Sequence, residues 1–312
     1  MSSRSGVRAE SNPPSVWTGP DGAGAAYTVC VRLSSFSARV SSACPLILDQ
    51  LASLYPDGTA PQRSAETTSS LLAIVEDSRR PGSDRYWLRA ASGEQCGFAH
   101  ARDVVAHLEY LINAAAAVGL GHHLLIHAGA VATSSSALIL PGASGQGKST
   151  LVTALAQGGL FYLSDELAVV DRSSLKALPF LKPICLKDGG YQALTSSFDL
   201  RGSFRAQRAD GVSVCYLPAP LPCPSDAEFR IGFVVLPVRR VGAAPELKPT
   251  ARAQALAELA RNSLNLPRHG AAGLEAIARV VEGAACYTLI YDSAPDAAST
   301  LSKLVGGEGV GS

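Results

Sequence analysis

The hydrophobic residues of this chain come in runs whose period changes from segment to segment. Near the start, "AAYTVCVRLS" is β-branched and aromatic and reads as a strand. "PLILDQLASLY" reads as a short helix opened by Pro45, because proline is pre-organised for the first helical position. "SSLLAIVED" and "DRYWLRAAS" read as two strands around the turn signal "SRRPGS". In "ARDVVAHLEYLINAAAAVGL" the apolar residues recur at helical spacing until Gly119 and Gly121. The pattern predicts a small α+β module over 25–118 that leads into a long helix.

From residue 119 the runs grow more apolar. "HLLIHAGAVA" and "SALILPG" read as buried strands, and "KSTLVTALAQ" as a helix ending at Gly158-Gly159. "LFYLSDELAVVD" reads as two strands meeting at a tight acidic turn. The stretch from "LKALPFLKPICLKDGG" to "PAPLPCPSDAE" is Pro-rich and reads as irregular, with one strand at "VSVCYL". Strand "FRIGFVVLPV", helices "ARAQALAELARNSL" and "AAGLEAIARVVEG", strand "CYTLIYD" and helix "PDAASTLSKLV" complete a second region over 119–308. Strands alternating with helices predict an α/β fold there.

Composition narrows this picture. The chain of 312 residues is 47% hydrophobic, enough for a substantial core in one large or two smaller domains. Its 27 basic and 26 acidic residues leave a formal net charge of +1. That gives no global attraction to nucleic acid or to a membrane surface. Residues 1–24 are rich in Ser, Gly and Pro, are expected to be mobile, and contain no apolar run of the signal-peptide kind. The seven cysteines are scattered without a CxxC or Cys/His spacing, which points to free thiols in a reducing cytoplasm.

The candidate chemistry lies in "PGASGQGKST". Residues Gly142 to Ser149 satisfy G-x-x-x-x-G-K-[ST], after an apolar strand and at the start of a helix. Gly142, Gly145 and Gly147 let the backbone curl so that its N–H groups converge on phosphate oxygens, with Ala143, Ser144, Gln146 and Thr150 completing the binding segment. The helix start adds the positive end of its dipole. Lys148 is placed to neutralise outer phosphates, and the Ser149 hydroxyl is a hard oxygen suited to Mg²⁺. A nucleotide, ATP, is the expected ligand. Asp165 and Glu166 follow closely. Neighbouring strand residues point to opposite faces, so one acid is expected toward a hydroxyl acceptor and the other toward the metal or its waters. His127, after the run "HLLI", reads either as a satisfied core histidine or as part of the site. His122 and His123 read as a surface turn.

Read together, His-Ala-Gly-Ala-Val, the glycine-rich loop and "GGLFYLSDE" resemble the kinase domain of HPr kinase/phosphorylase and its relatives, over about residues 120–305. "LKPICLK", "SLN" and "YTLIYD" extend the likeness to the HPr-kinase-related branch. The resemblance implies a P-loop fold similar to that of phosphoenolpyruvate carboxykinase and an ATP- and Mg²⁺-dependent kinase. It implies a protein or peptide serine as acceptor, and a homo-oligomer, since the family often forms rings. It makes Asp165 the catalytic base and gives Glu166 a metal or supporting role. It places His127 and Lys148 by the phosphates. It does not extend to the glycine-rich segment that bifunctional members carry after their acids, and so carries no phosphorylase activity with it.

Two other functions fit the same loop: a small-molecule kinase, and a regulatory nucleotide-binding protein without transferase activity. The paired acids speak against the last, because a sensor has less need of a base. Lys182, Lys187, Arg201, Arg205 and Arg208 read as solvated surface or as a lid over phosphates, with Lys187 the strongest of them. Arg261 and Arg268 flank "NSLNLP" and are weaker candidates.

Overall fold

A computed structural model describes residues 27–42, 44–55, 59–60, 69–76, 85–90, 93–143, 145–208, 211–220 and 223–306. The N-terminal segment expected to be mobile, the turn signal at 78–83 and Ser144 lie outside these residues. Contacts group the chain into two compact units: residues up to Ala116 with Phe204–Tyr216, and Ala117–Ser203 with the residues from Leu217 onward.

The first unit opens with the antiparallel hairpin β1 (Tyr27–Leu33) and β2 (Phe36–Ser42). Helix α1 (Pro45–Leu54) follows, then β3 (Thr59–Ala60), β4 (Ser69–Glu76), β5 (Tyr86–Ala90), β6 (Gln95–Phe98) and the long α2 (Ala101–Gly119). The six strands form one sheet in the order β3-β1-β2-β4-β5-β6. β2 and β4 run parallel, which requires the crossover that α1 supplies. As expected, proline opens α1, and its buried Ile47, Leu48, Leu51 and Leu54 form one helical stripe. The sequence pattern did not predict β2 or β6. In β2 only Ala38, Val40 and Ser42 face the core, too few apolar positions for a strand signal.

The second unit holds the glycine-rich loop. Its elements begin with β7 (Leu124–Ala132), β8 (Ser136–Pro141), α3 (Lys148–Gln157), β9 (Phe161–Ser164) and β10 (Leu167–Val170). β11 (Lys176–Leu178), β12 (Ile184–Lys187) and α4 (Asp188–Thr195) occupy the stretch read as irregular. The hairpin β13 (Phe204–Gln207) and β14 (Ser213–Leu217) then lies largely within the first unit. β15 (Phe229–Arg239), β16 (Glu246–Pro249), α5 (Arg252–Arg261), α6 (Leu266–Gly283), β17 (Ala285–Tyr291) and α7 (Ala294–Gly306) complete the chain. The large sheet is mixed, in the order β11-β10-β7-β8-β15-β17-β16, with β9 also on β7 and β11 also on β15. The architecture is mixed α/β. Among the described residues no helix is long and apolar enough to cross a membrane.

The alternation along β7 divides the unit into two layers. Leu124, Ile126, Ala128, Ala130 and Ala132 join one apolar cluster with Ala255 and Leu259 of α5 and Ile277, Val280 and Val281 of α6. The odd positions face α3. Gly129 is needed there, because a Cβ on it would lie 2.5 Å from Val152 Cγ2. His127 is odd-numbered too, and so faces the helix that begins at Lys148.

Two expectations are corrected. "LFYLSDELAVVD" does not turn back on itself. β9 and β10 both run antiparallel to β7, with Ser164 opposite Ala130 and Leu167 opposite His127. Asp165 and Glu166 therefore interrupt one continuous line of chain. The Ser164 hydroxyl accepts the Glu166 and Leu167 N–H groups at 3.2 and 2.9 Å and replaces ladder bonds there. His123 is not at the surface: it is buried, with Nδ1 3.3 Å from Asp171 Oδ2.

Candidate functional site

The parallel strands β8, β15 and β17 end on one side of the sheet, where ligands of open α/β folds collect. The glycine-rich loop leaves β8 there and runs into α3. Gly147 caps that helix with φ 80°, a conformation that favours glycine. Space requires it as well, since a Cβ at Gly147 would sit 2.8 Å from the Tyr291 hydroxyl. That hydroxyl, at the end of β17, donates to the Gln146 carbonyl at 3.1 Å and ties loop to sheet. Burial pushes the Tyr291 phenol up to about 12, so it stays a donor at neutral pH. Ala143, Gly145 and Gln146 are exposed, while Gly147, Ser149 and Thr150 are half-buried.

Lys148 is the first residue of α3 and is 5% exposed. Its ammonium donates to Gly142 O at 2.6 Å and Ala143 O at 2.9 Å, and lies 3.1 Å from His127 Nε2. An ammonium has protons and no acceptor, so His127 Nε2 accepts and its ring is neutral with the proton on Nδ1. Burial, and then the Lys148 charge, lower the His127 pKa against the pull of Glu166. Burial lowers the Lys148 pKa also, opposed first by Glu166 and then by Asp165. His127 is thus half-buried and touches the loop lysine.

The acids diverge, one into the protein and one outward. Asp165 is 2% exposed. Its Oδ1 accepts from the Tyr162 hydroxyl at 3.0 Å and faces Lys182 Nζ at 2.9 Å, and its Oδ2 accepts the Cys185 N–H at 3.2 Å. Lys182 is 1% exposed and also donates to Pro183 O at 3.0 Å. Burial and then the Asp165 charge push the Tyr162 phenol well above its ordinary range. The Glu166 side chain is 55% exposed, and its Oε2 lies 3.5 Å from Lys182 Nζ. Its backbone carbonyl accepts the Ala128 N–H at 3.1 Å, beside His127.

Around this core, Asn262 O accepts the His127 N–H at 2.7 Å. Asn265 accepts Leu125 N–H at 3.0 Å and donates to His123 O at 2.8 Å. The "NSLN" segment thereby fixes the start of β7. The candidate lid residues are dispersed. Lys187 is exposed at the start of α4, Arg201 pairs with Asp199, Arg261 pairs with Glu258, and Arg205 and Arg208 belong to the first unit. Lys182 was read as surface or lid and is instead among the most buried side chains of the molecule. Its signal was present, a single lysine inside the apolar run "PFLKPICL". Tyr162 and Tyr291 stood within the quoted segments "GGLFYLSDE" and "YTLIYD", with no role of their own to mark them.

No protein-family model and no curated protein matches this chain.

Proposed function

We propose that this chain is an ATP-dependent phosphotransferase of the P-loop kind, with a nucleotide-binding unit similar to the kinase domain of HPr kinase and to phosphoenolpyruvate carboxykinase. The observation that carries this reading is the loop between β8 and α3. It combines a left-handed glycine at the helix cap, a helix N-terminus, and a buried ammonium whose partners are neutral groups. Phosphate oxygens are stronger acceptors for that ammonium than two carbonyls and an imidazole, and loop N–H groups supply further donors. The acceptor, a serine of a protein or peptide, rests on the sequence resemblance.

The residues also fit Mg²⁺. Among the described residues no group of three or more His, Cys, Asp or Glu stands ready to hold a metal. The half-buried Ser149 and exposed Glu166 offer two oxygens, which suits an ion that keeps waters and phosphates as its other ligands. When bound, Mg²⁺ would neutralise charge on the phosphates. Lys148 and the loop amides hold the γ-phosphoryl group and its developing charge. His127, neutral, orients Lys148. The acceptor hydroxyl gives its proton to a carboxylate of the acid pair as its oxygen bonds to phosphorus. The bond from that phosphorus to the ADP oxygen breaks, and ADP leaves with the electron pair.

The test is calorimetric titration of the whole chain with Mg-ATP, followed by mass spectrometry of candidate peptides incubated with both. Lys148→Ala is expected to weaken Mg-ATP binding and to lower transfer by about 10²–10³-fold, the usual loss for one preorganised charge at a transferring group. Unchanged affinity and turnover in that variant would remove the phosphate-loop reading.

A further inference from the structure

The resemblance assigns the base to Asp165, but the geometry points to a different division of labour, and we infer it here on the phosphotransferase reading above. Asp165 and Lys182 form a buried positioning pair, and Glu166 is the carboxylate that meets the nucleotide's metal and the acceptor.

Three observations support this. First, Asp165 is already enclosed. Its two oxygens take the Tyr162 hydroxyl, the Lys182 ammonium and the Cys185 N–H, all within 3.2 Å, and the side chain is 1% exposed. A carboxylate so enclosed has no face left for a hydroxyl from solvent. Releasing it would leave the Lys182 charge buried without its partner, at high cost. Second, Glu166 is next in sequence yet its side chain is 55% exposed, and its backbone carbonyl accepts the Ala128 N–H beside His127, the partner of the Lys148 ammonium. Third, Lys182 connects the two. Its ammonium is 2.9 Å from Asp165 and 3.5 Å from Glu166, and it also donates to Pro183 O. The pair therefore holds the Phe180–Cys185 segment against the strand break at Asp165, and gives Glu166 a fixed cation to lean on.

This arrangement explains why the break in the β9–β10 line falls where it does. One residue has to turn inward to anchor and the next outward to react, so regular strand pairing is interrupted between Ser164 and Leu167, where the Ala128 N–H still reaches the Glu166 carbonyl. Lys182 and Asp165 act through Glu166 and are positioning residues; Glu166 alone of the three reaches the reacting groups.

The experiment uses the whole chain, Mg²⁺, ATP, and water as the acceptor. It reads the melting temperature, the Mg²⁺ concentration for half-maximal ATP binding, and the kcat and KM of hydrolysis. Glu166→Gln is expected to melt like the parent, to raise the Mg²⁺ requirement about tenfold, and to lower hydrolysis by about 10²-fold or more. Asp165→Asn alone is expected to melt early because Lys182 is left unpaired. Adding Lys182→Met should restore the melting temperature. The double variant should keep the Mg²⁺ requirement within about threefold and lose about tenfold in kcat at unchanged KM, as expected for a misplaced reacting group. Lys182→Arg should recover part of that kcat. A Glu166→Gln protein with the parent's Mg²⁺ requirement overturns the assignment. So does a double variant that is folded and binds ATP without Mg²⁺ dependence. A parent chain that binds no ATP overturns the phosphotransferase reading itself, whereas Lys148-dependent ATP binding with an unaltered Glu166→Gln variant overturns this division alone.

Discussion

Two lysine ammoniums are buried in the second unit, and they are held in opposite ways. Lys148, on the glycine-rich loop, rests on two backbone carbonyls and a neutral imidazole. Lys182, on the segment beside the acids, rests on carboxylates. Neutral partners hold an ammonium loosely enough for a phosphate to take it over, because the exchange gains a full opposite charge. A buried carboxylate partner makes the ammonium permanent, because separating the pair strands both charges in a poor dielectric. On the proposed reading the difference separates a binding element from a structural one, although both residues are lysines of nearly equal burial.

The sharpest way to break this comparison is to remove each charge in turn. Lys182→Met is expected to cost about 3–5 kcal/mol of stability, the usual penalty for breaking a buried pair. Lys148→Met is expected to stay within about 1 kcal/mol of the parent, since a buried charge with neutral partners gives back its desolvation cost when it is deleted. Denaturant unfolding of both variants measures this directly. Equal losses would mean that Lys148 is as structural as Lys182.

A second test moves the helix that carries the loop. Gly129→Ala places a methyl group 2.5 Å from Val152 Cγ2, so that β7 and α3 have to shift apart. The expected cost is about 1–3 kcal/mol, with weaker Mg-ATP binding because α3 and Lys148 shift together. A variant that loses stability but keeps full ATP affinity would show that the loop is set by Tyr291 and not by the packing of α3.

The smallest effect concerns pH. The His123 pKa is lowered by burial and then by His122, against the opposing pull of Asp171. The unfolded chain then binds a proton at this histidine more readily than the folded one. Its contribution to stability is complete above the ordinary histidine range, near pH 6.5, and is lost as the pH falls below it. His107 and His127 shift in the same direction. The melting temperature should therefore fall modestly between pH 7.5 and 5.5, and His123→Gln should make that fall shallower. Identical slopes would assign the titration to the other two histidines.

Much of the local structure could be read from the chain. Pro45 opened α1, the glycines and Lys148 marked the loop between a strand and a helix, and Asp165-Glu166 announced an acidic break. These features depend on residues close in sequence, where backbone conformation and period decide. The direction of the chain after Asp165 did not follow from sequence, because a polar pair between two apolar runs is written alike whether the chain turns or continues. Pairing with β7 settled it. The weakly apolar β2, and the strands within the Pro-rich stretch, likewise exist because a neighbouring strand or helix accepts them.

The sequence by itself determined that a glycine-rich loop runs into a helix, where it starts and which lysine opens that helix, since loop curvature and helix start are encoded in eight consecutive residues. Only the tertiary structure decided which acid is sealed and which is open, and that Lys182 belongs inside. Burial and ion pairing are properties of the surroundings. Lys182 is 17 residues from Asp165 and Tyr291 is 145 from Gln146, distances along the chain that local pattern cannot span and that packing alone brings within 3.1 Å.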